Sequence, residues 1–236
     1  MNNPLPLVVA NFKANLTWDE VSGWIGKVGP LSQNFKGTIV LCPSYPFLAQ
    51  AQRQIKSSSF NIKLGSQDIS KFESGAYTGE VSASQIAAIC EFAIIGHSER
   101  RKYFGEIDSD VSEKLNLLLK NNITPILCIS DISQLESYLE NGNTIKEKAA
   151  DIIFVYEPPS AISGGGDFKP EDPQVASENA GKIQDLVGSK IMTIYGGSIN
   201  ADNALSFFEK GNINGGLIGQ ASLDPQTFGQ ILEKIN

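Results

Sequence analysis

"AIIGHSERR", Ala93–Arg101, holds the only histidine of the 236-residue chain, at the point where an unbroken apolar run gives way to a charged turn. A continuous run, as opposed to an alternating one, suits a parallel strand buried on both faces. Seven other runs share this character: "LPLVVA", "TIVLC", "NIKLG", "TPILCI", "DIIFVY", "KIMTIY" and "GGLIG". Between Leu7 and Gly215 the runs recur roughly every thirty residues, the repeat length of a strand plus a helix. The intervening segments, among them "SASQIAAICEF", "DSDVSEKLNLLLKNN" and "NADNALSFFEKGN", carry helical periodicity. Ser82 or Ser84, Asp108, Asn200, and Asp224 before Pro225 supply N-caps for them.

Eight strands alternating with helices leave two architectures. A doubly wound sheet calls for a glycine fingerprint after an early strand, and "NFKAN" after the first run is not one. An eightfold barrel requires only the repetition. No long linker or Gly/Ser tract divides the chain, so residues 1–236 read as one α/β domain, a (β/α)8 barrel. The interval 127–152 is its thinnest part, with only "SQLESYLENGNTIKEKAA" to form a helix.

Composition excludes some functions. A net charge of −7 argues against a general nucleic-acid or anionic-membrane surface, although a local site can still bind a small anion. Cys42, Cys90 and Cys128 are widely spaced and form no CxxC pair; Cys42 and Cys128, inside apolar runs, read as buried thiols, and the usage fits a reducing compartment. The N-terminal "MNNPLPLVVANFK" has no basic leader, and its apolar stretch is too short to span a membrane; a cytoplasmic protein is expected.

Polar residues gather just past the apolar runs: Asn11, Lys13, Gln67, His97, Glu99, Glu157, Ser198, Gly219 and Gln220. In a barrel these positions share the C-terminal rim, where active sites are built. Each has an ordinary reading and a chemical one. A lone histidine is more often a hydrogen-bonded structural group than a catalyst. At the head of a short helix formed by "HSERRKYFGE", however, backbone amides oppose its protonation, and a neutral imidazole can donate to a carbonyl. Glu157 is either a strand-end carboxylate paired with a cation or a general base. Desolvation beneath the glycine-rich "SAISGGGDF" would raise its basicity. Lys13 is either solvated or an anchor for an anionic substrate, with Asn11 on the same side of the strand by its i, i+2 spacing. "YGGSI" at 195–199 and "GGLIGQASL" at 215–223 are singly only tight turns. After the last two strands, together, they match the usual phosphate site of such barrels. No metal-ligand spacing is present, and no cofactor is called for.

"NFK" at 11–13, "GAYTGEVS" at 75–82, "IIGHSERR" at 94–101, "YEP" at 156–158, "YGGS" at 195–198 and "GLIGQASL" at 216–223 stand in the order seen in triosephosphate isomerases. The resemblance spans nearly the whole chain and implies a TIM barrel. It makes Glu157 the base and His97 the electrophile, the known division of labour in that family. It further implies that Lys13 is catalytic and that Lys13 and Asn11 contact a small phosphorylated triose. The phosphate would meet amides near Ser163, Ser198, Gly219 and Gln220. Glu99 and Arg100 would support the site or the interface. "GAYTGE" resembles a loop that reaches into a neighbouring subunit, which implies a homodimer with Thr78 near the partner's site.

The resemblance is broken in places. The segment after the base usually reads like "EPVWAIGTGK"; here it is "EPPSAISGGG", with Ser160 for tryptophan, Ser163 for glycine and Gly166 for lysine. "CISD" replaces "CIGE", and the helix between the fifth and sixth strands is short by about fifteen residues. Two rivals remain: another phosphate-binding barrel isomerase, which leaves Lys13, His97 and Glu157 together unexplained, and a catalytically silent binding relative, supported only by the altered segment. Turnover of a triose phosphate separates all three.

Overall fold

The computed structural model describes residues 5–140, 142–162, 169–188 and 191–236. Every apolar run becomes a strand: β1 Leu7–Asn11, β2 Thr38–Cys42, β3 Ile62–Ser66, β4 Phe92–Ile95, β5 Thr124–Ile129, β6 Ile153–Tyr156, β7 Met192–Tyr195 and β8 Gly215–Ile218. Each lies parallel to the next, and β1 closes the ring against β8, with Leu7 in register with both Thr38 and Gly215. The described helices are α1 Trp18–Ser32, α2 Leu48–Ser57, α3 Ala83–Ile86, α4 Ser98–Phe104, α5 Asp108–Lys120, α6 Ile132–Glu140, α7 Thr144–Glu147, α8 Pro173–Val187, α9 Ala204–Phe208 and α10 Pro225–Ile235.

Strand residues alternate between two buried layers. Leu7, Val9, Val40, Cys42, Phe92, Ile94, Ile126, Cys128, Ile153, Val155, Ile194 and Leu217 form one cluster, the filling of the barrel. Val8, Ala10, Ile39, Leu41, Ala93, Ile95, Leu127 and Phe154 belong to the other, packed under the helices with Trp24, Phe207 and Phe228. Burial on both faces is why the runs show no alternation in sequence. The two-residue period nevertheless fixes direction. One step beyond the last inward residue of β1, β6, β7 and β8 stand Asn11, Glu157, Gly196 and Gly219, all at the same end of the barrel.

Helix boundaries differ from the sequence expectation where side chains compete for the backbone. Ser82, not Ser84, caps α3 in a capping box with Gln85, but α3 is a single turn before the chain turns into β4. Asn200 does not cap α9. Its Oδ1 accepts from the amides of Asp202 and Asn203, which closes a turn and moves the N-cap to Asn203. Asp108 is the first residue of α5, with Ile107 as N-cap, and its carboxylate takes Arg101 at 2.7 Å. Asp224 caps α10 as expected, accepting from the Thr227 amide. The short β5–β6 connection is filled by α6, α7 and one 3-10 turn.

Candidate active site

Val155 points into the barrel, so Glu157, two residues on, points into its mouth. There it is 1% exposed. Gly196, at the end of β7, leaves the room: a Cβ on it would lie 2.6 Å from Val155 Cγ1 and 3.3 Å from Glu157 Cβ. Glu157 Oε1 lies 3.0 Å from His97 Nε2, and its Oε2 accepts from the Ser98 amide at 3.0 Å. Burial raises the Glu157 pKa from its ordinary value, partly offset by His97, the Ser98 amide and Lys13. The carboxylate is thereby made more basic while its hydrogen bonds keep it placed.

His97 is the N-cap of α4 and is itself buried. Its Nδ1 accepts from the Glu99 backbone amide at 3.2 Å. A nitrogen that accepts cannot carry a proton, so the ring is the neutral tautomer with its hydrogen on Nε2, aimed at Glu157. One helical turn thus sets tautomer and direction together.

Lys13 occupies the left-handed region at φ 52, a costly conformation for a residue with a Cβ, of order 1–3 kcal/mol. Three contacts hold it: its amide donates to Asn11 Oδ1 at 3.1 Å, and its carbonyl accepts from Gln67 Nε2 at 2.8 Å and from Ser44 Oγ at 3.3 Å. The ammonium lies 2.5 Å from Glu99 Oε1. Across from it, a Cβ on Gly219 would come within 3.3 Å of Lys13 Cε, so glycine lets the lysine cross the mouth.

The opposite side is made of main chain. Ser198 donates through both its amide (2.9 Å) and its hydroxyl (2.8 Å) to the Ala161 carbonyl. Gly219 leads into a 3-10 turn, Gln220–Ser222, where Ser222 Oγ donates to the Gly219 carbonyl at 2.7 Å. Trp24 of α1 anchors that turn by donating to the Ser222 carbonyl at 2.8 Å.

Asn11, Lys13, His97, Glu157, Ser198, Gly219 and Gln220 all line one open cavity of about 140 Å³. Ser163 and Gly166 lie outside the described residues. Glu99 touches both Lys13 and His97. Arg100 turns away: its Nε meets Asp68 (2.8 Å) and Glu106 (3.0 Å), and Lys114 joins both acids. With Tyr77 and Thr78 these four line a second, larger cavity. Thr78 is therefore not part of this chain's own mouth. Sequence reading missed the Ser98 amide on the carboxylate, and missed Ala161, Ile162 and Asn200 in the cavity wall. Ser98 was open to inference, since the residue after an N-cap always presents an amide.

A sequence model described as triosephosphate isomerase matches residues 6–235. Curated proteins named triosephosphate isomerase are similar over most of their lengths. That of Colwellia psychrerythraea is 34% identical over 94% of each chain. That of Thermus thermophilus is 33% identical over 94% of this chain and 95% of its own. That of Halorhodospira halophila is 39% identical over 80% of this chain and 82% of its own. With a closed eight-stranded barrel and a match from end to end, this chain belongs to the triosephosphate isomerase family.

Proposed function

We propose that the protein interconverts dihydroxyacetone phosphate and D-glyceraldehyde 3-phosphate through a cis-enediol(ate), with Glu157 as base and His97 and Lys13 as stabilisers of the oxygen charge. The observation that carries this reading is the contact of 3.0 Å between the buried Glu157 carboxylate and Nε2 of the buried His97, whose Nδ1 accepts from the Glu99 amide. A substrate carbonyl docked against Nε2 takes that donor from Glu157 and frees the carboxylate to accept a proton from the adjoining carbon. The electron pair of the broken C–H bond moves to the carbonyl oxygen, where His97 and the Lys13 ammonium meet the charge. The hydroxyl proton on the adjoining carbon then passes to the former carbonyl oxygen by way of His97 Nε2, which gives up its own proton to one oxygen and takes one from the other. As that hydroxyl oxygen becomes the new carbonyl, the proton held by Glu157 returns to the neighbouring carbon. The carbonyl itself acidifies the C–H bond, so the reaction needs no cofactor. Donors fixed before reaction are worth several kcal/mol in such sites.

The phosphate fits the β7–β8 side, where Ser198, Gly219 and Gln220 line the cavity without bringing a charge of their own. Asn11 positions Lys13 and faces the substrate. The reaction belongs to glycolysis and gluconeogenesis in the cytoplasm. The assembly is a homodimer: Phe72, Tyr77 and Phe104 are large apolar side chains left exposed in the lining of the second cavity, and Tyr103 and Ile107, close to Phe104 in the chain, are exposed as well. Apolar surface so concentrated suits burial against a second copy, which would bring Thr78 to the partner's mouth. Charged residues at Tyr77 and Thr78 should give monomers of low activity by sedimentation and assay; a fully active native monomer would refute the assembly.

A coupled assay with each triose phosphate tests the activity. Turnover in both directions without added metal is expected. No turnover by the folded protein would leave a silent relative.

A further inference from the structure

Tyr156 and Tyr195 end neighbouring strands in register, β6 and β7. Tyr156 is followed by the base, and Tyr195 by the Gly196–Ser198 turn. Both hydroxyls converge on one residue: Glu171 donates its backbone amide to Tyr195 Oη at 3.1 Å, and its Oε1 accepts from Tyr156 Oη at 3.3 Å. Asn179 of α8 donates to Tyr156 Oη at 2.8 Å. With that lone pair taken by a donor, the phenolic proton is directed at the Glu171 carboxylate.

We propose that Glu171 is a positioning residue for the base, fixing the Tyr156 end of β6 through its carboxylate and the Tyr195 end of β7 through its amide. The carboxylate is poorly explained as a stabilising device. Its Oε2 is buried without a hydrogen-bond partner among the described residues. Burial also raises its pKa, an energetic cost only partly offset by the single phenol. A residue held at a cost, with both of its bonds on strands that carry site residues, is accounted for by what it holds in place. Glu171 is not among the residues that line the site cavity. It acts through Tyr156.

The two bonds separate by mutation, because a side-chain change leaves the amide on Tyr195. Glu171→Ala should therefore lower kcat about tenfold while KM for the triose phosphate stays within twofold. Glu171→Gln retains an acceptor for the phenol and should recover most of that loss. Tyr156→Phe should match Glu171→Ala, and the double variant should be no worse than either single one. Multiplying losses, an unchanged kcat in Glu171→Ala, or a Gln variant as impaired as the Ala variant would overturn the assignment. The inference rests on Glu157 as base, and Glu157→Gln is the control. If that control stays active, the base assignment fails; if it is inactive while Glu171→Ala is unaffected, only the role of Glu171 fails.

Discussion

The two halves of the barrel mouth are built from different chemistry. The β1–β4–β6 half is side chain: Lys13, Glu99, His97 and Glu157 make a chain of contacts at 2.5, 3.9 and 3.0 Å, each group ionisable or a proton carrier. The β7–β8 half carries no charge: Gly196, Gly197, Ser198, Gly219 and Gln220 bring no ionisable group to the cavity. The difference follows from the tasks. Moving a proton requires groups whose proton affinity the surroundings can tune, and burial does this for Glu157. Holding an anion requires donors that do not titrate, which backbone amides supply.

The first way to break this comparison is to remove the base. Glu157→Gln should cut kcat by about a thousandfold or more, within the range general bases contribute. Its affinity for glycerol 3-phosphate, measured calorimetrically, should change less than threefold. Parallel loss of turnover and affinity would mean that the two halves are not separate. Next, Lys13→Met removes one charge from the same half, and a loss of about 10²–10³ in kcat/KM is expected. Steady-state kinetics with less than a fivefold effect would take Lys13 out of the chemistry.

Titration sharpens the same half. The raised pKa of Glu157 means the carboxylate holds its proton to higher pH than an ordinary glutamate. The base works only when ionised, so kcat/KM should be lost as pH falls through that raised value and be steady above it. An acid limb at the ordinary carboxylate position would show that burial does not tune the base. The smallest effect is expected from the other half: Gln220→Ala keeps the amide and should leave KM within twofold. A tenfold rise in KM would show that the side chain, not the main chain, holds the substrate.

Much of this was legible in sequence, for identifiable reasons. All eight strands were, because a strand buried on both faces must be uniformly apolar. Asn11, Lys13, His97 and Glu157 were legible because strand ends face the mouth. What sequence hid was set by the backbone and by contacts remote in the chain. The positive φ of Lys13 depends on Gln67 and Ser44. The shortness of α9 depends on one asparagine closing a turn instead of a cap. The Glu171 contact joins residues on three elements and carries no periodic signature. The altered stretch at 163–166 lies outside the described residues, and its departures from the family pattern stay as the sequence states them.

The pairing of a neutral imidazole with a buried base is the centre of the account, and a lone histidine makes it measurable. Nitrogen-15 spectra of the protein labelled at histidine contain one ring, with no assignment problem. Near pH 8, His97 should show the neutral tautomer protonated at Nε2, with Nδ1 carrying the shift of an unprotonated acceptor. A ring protonated at Nδ1, or at both nitrogens, would have no acceptor for the Glu99 amide and would contradict the arrangement on which the proposed mechanism stands.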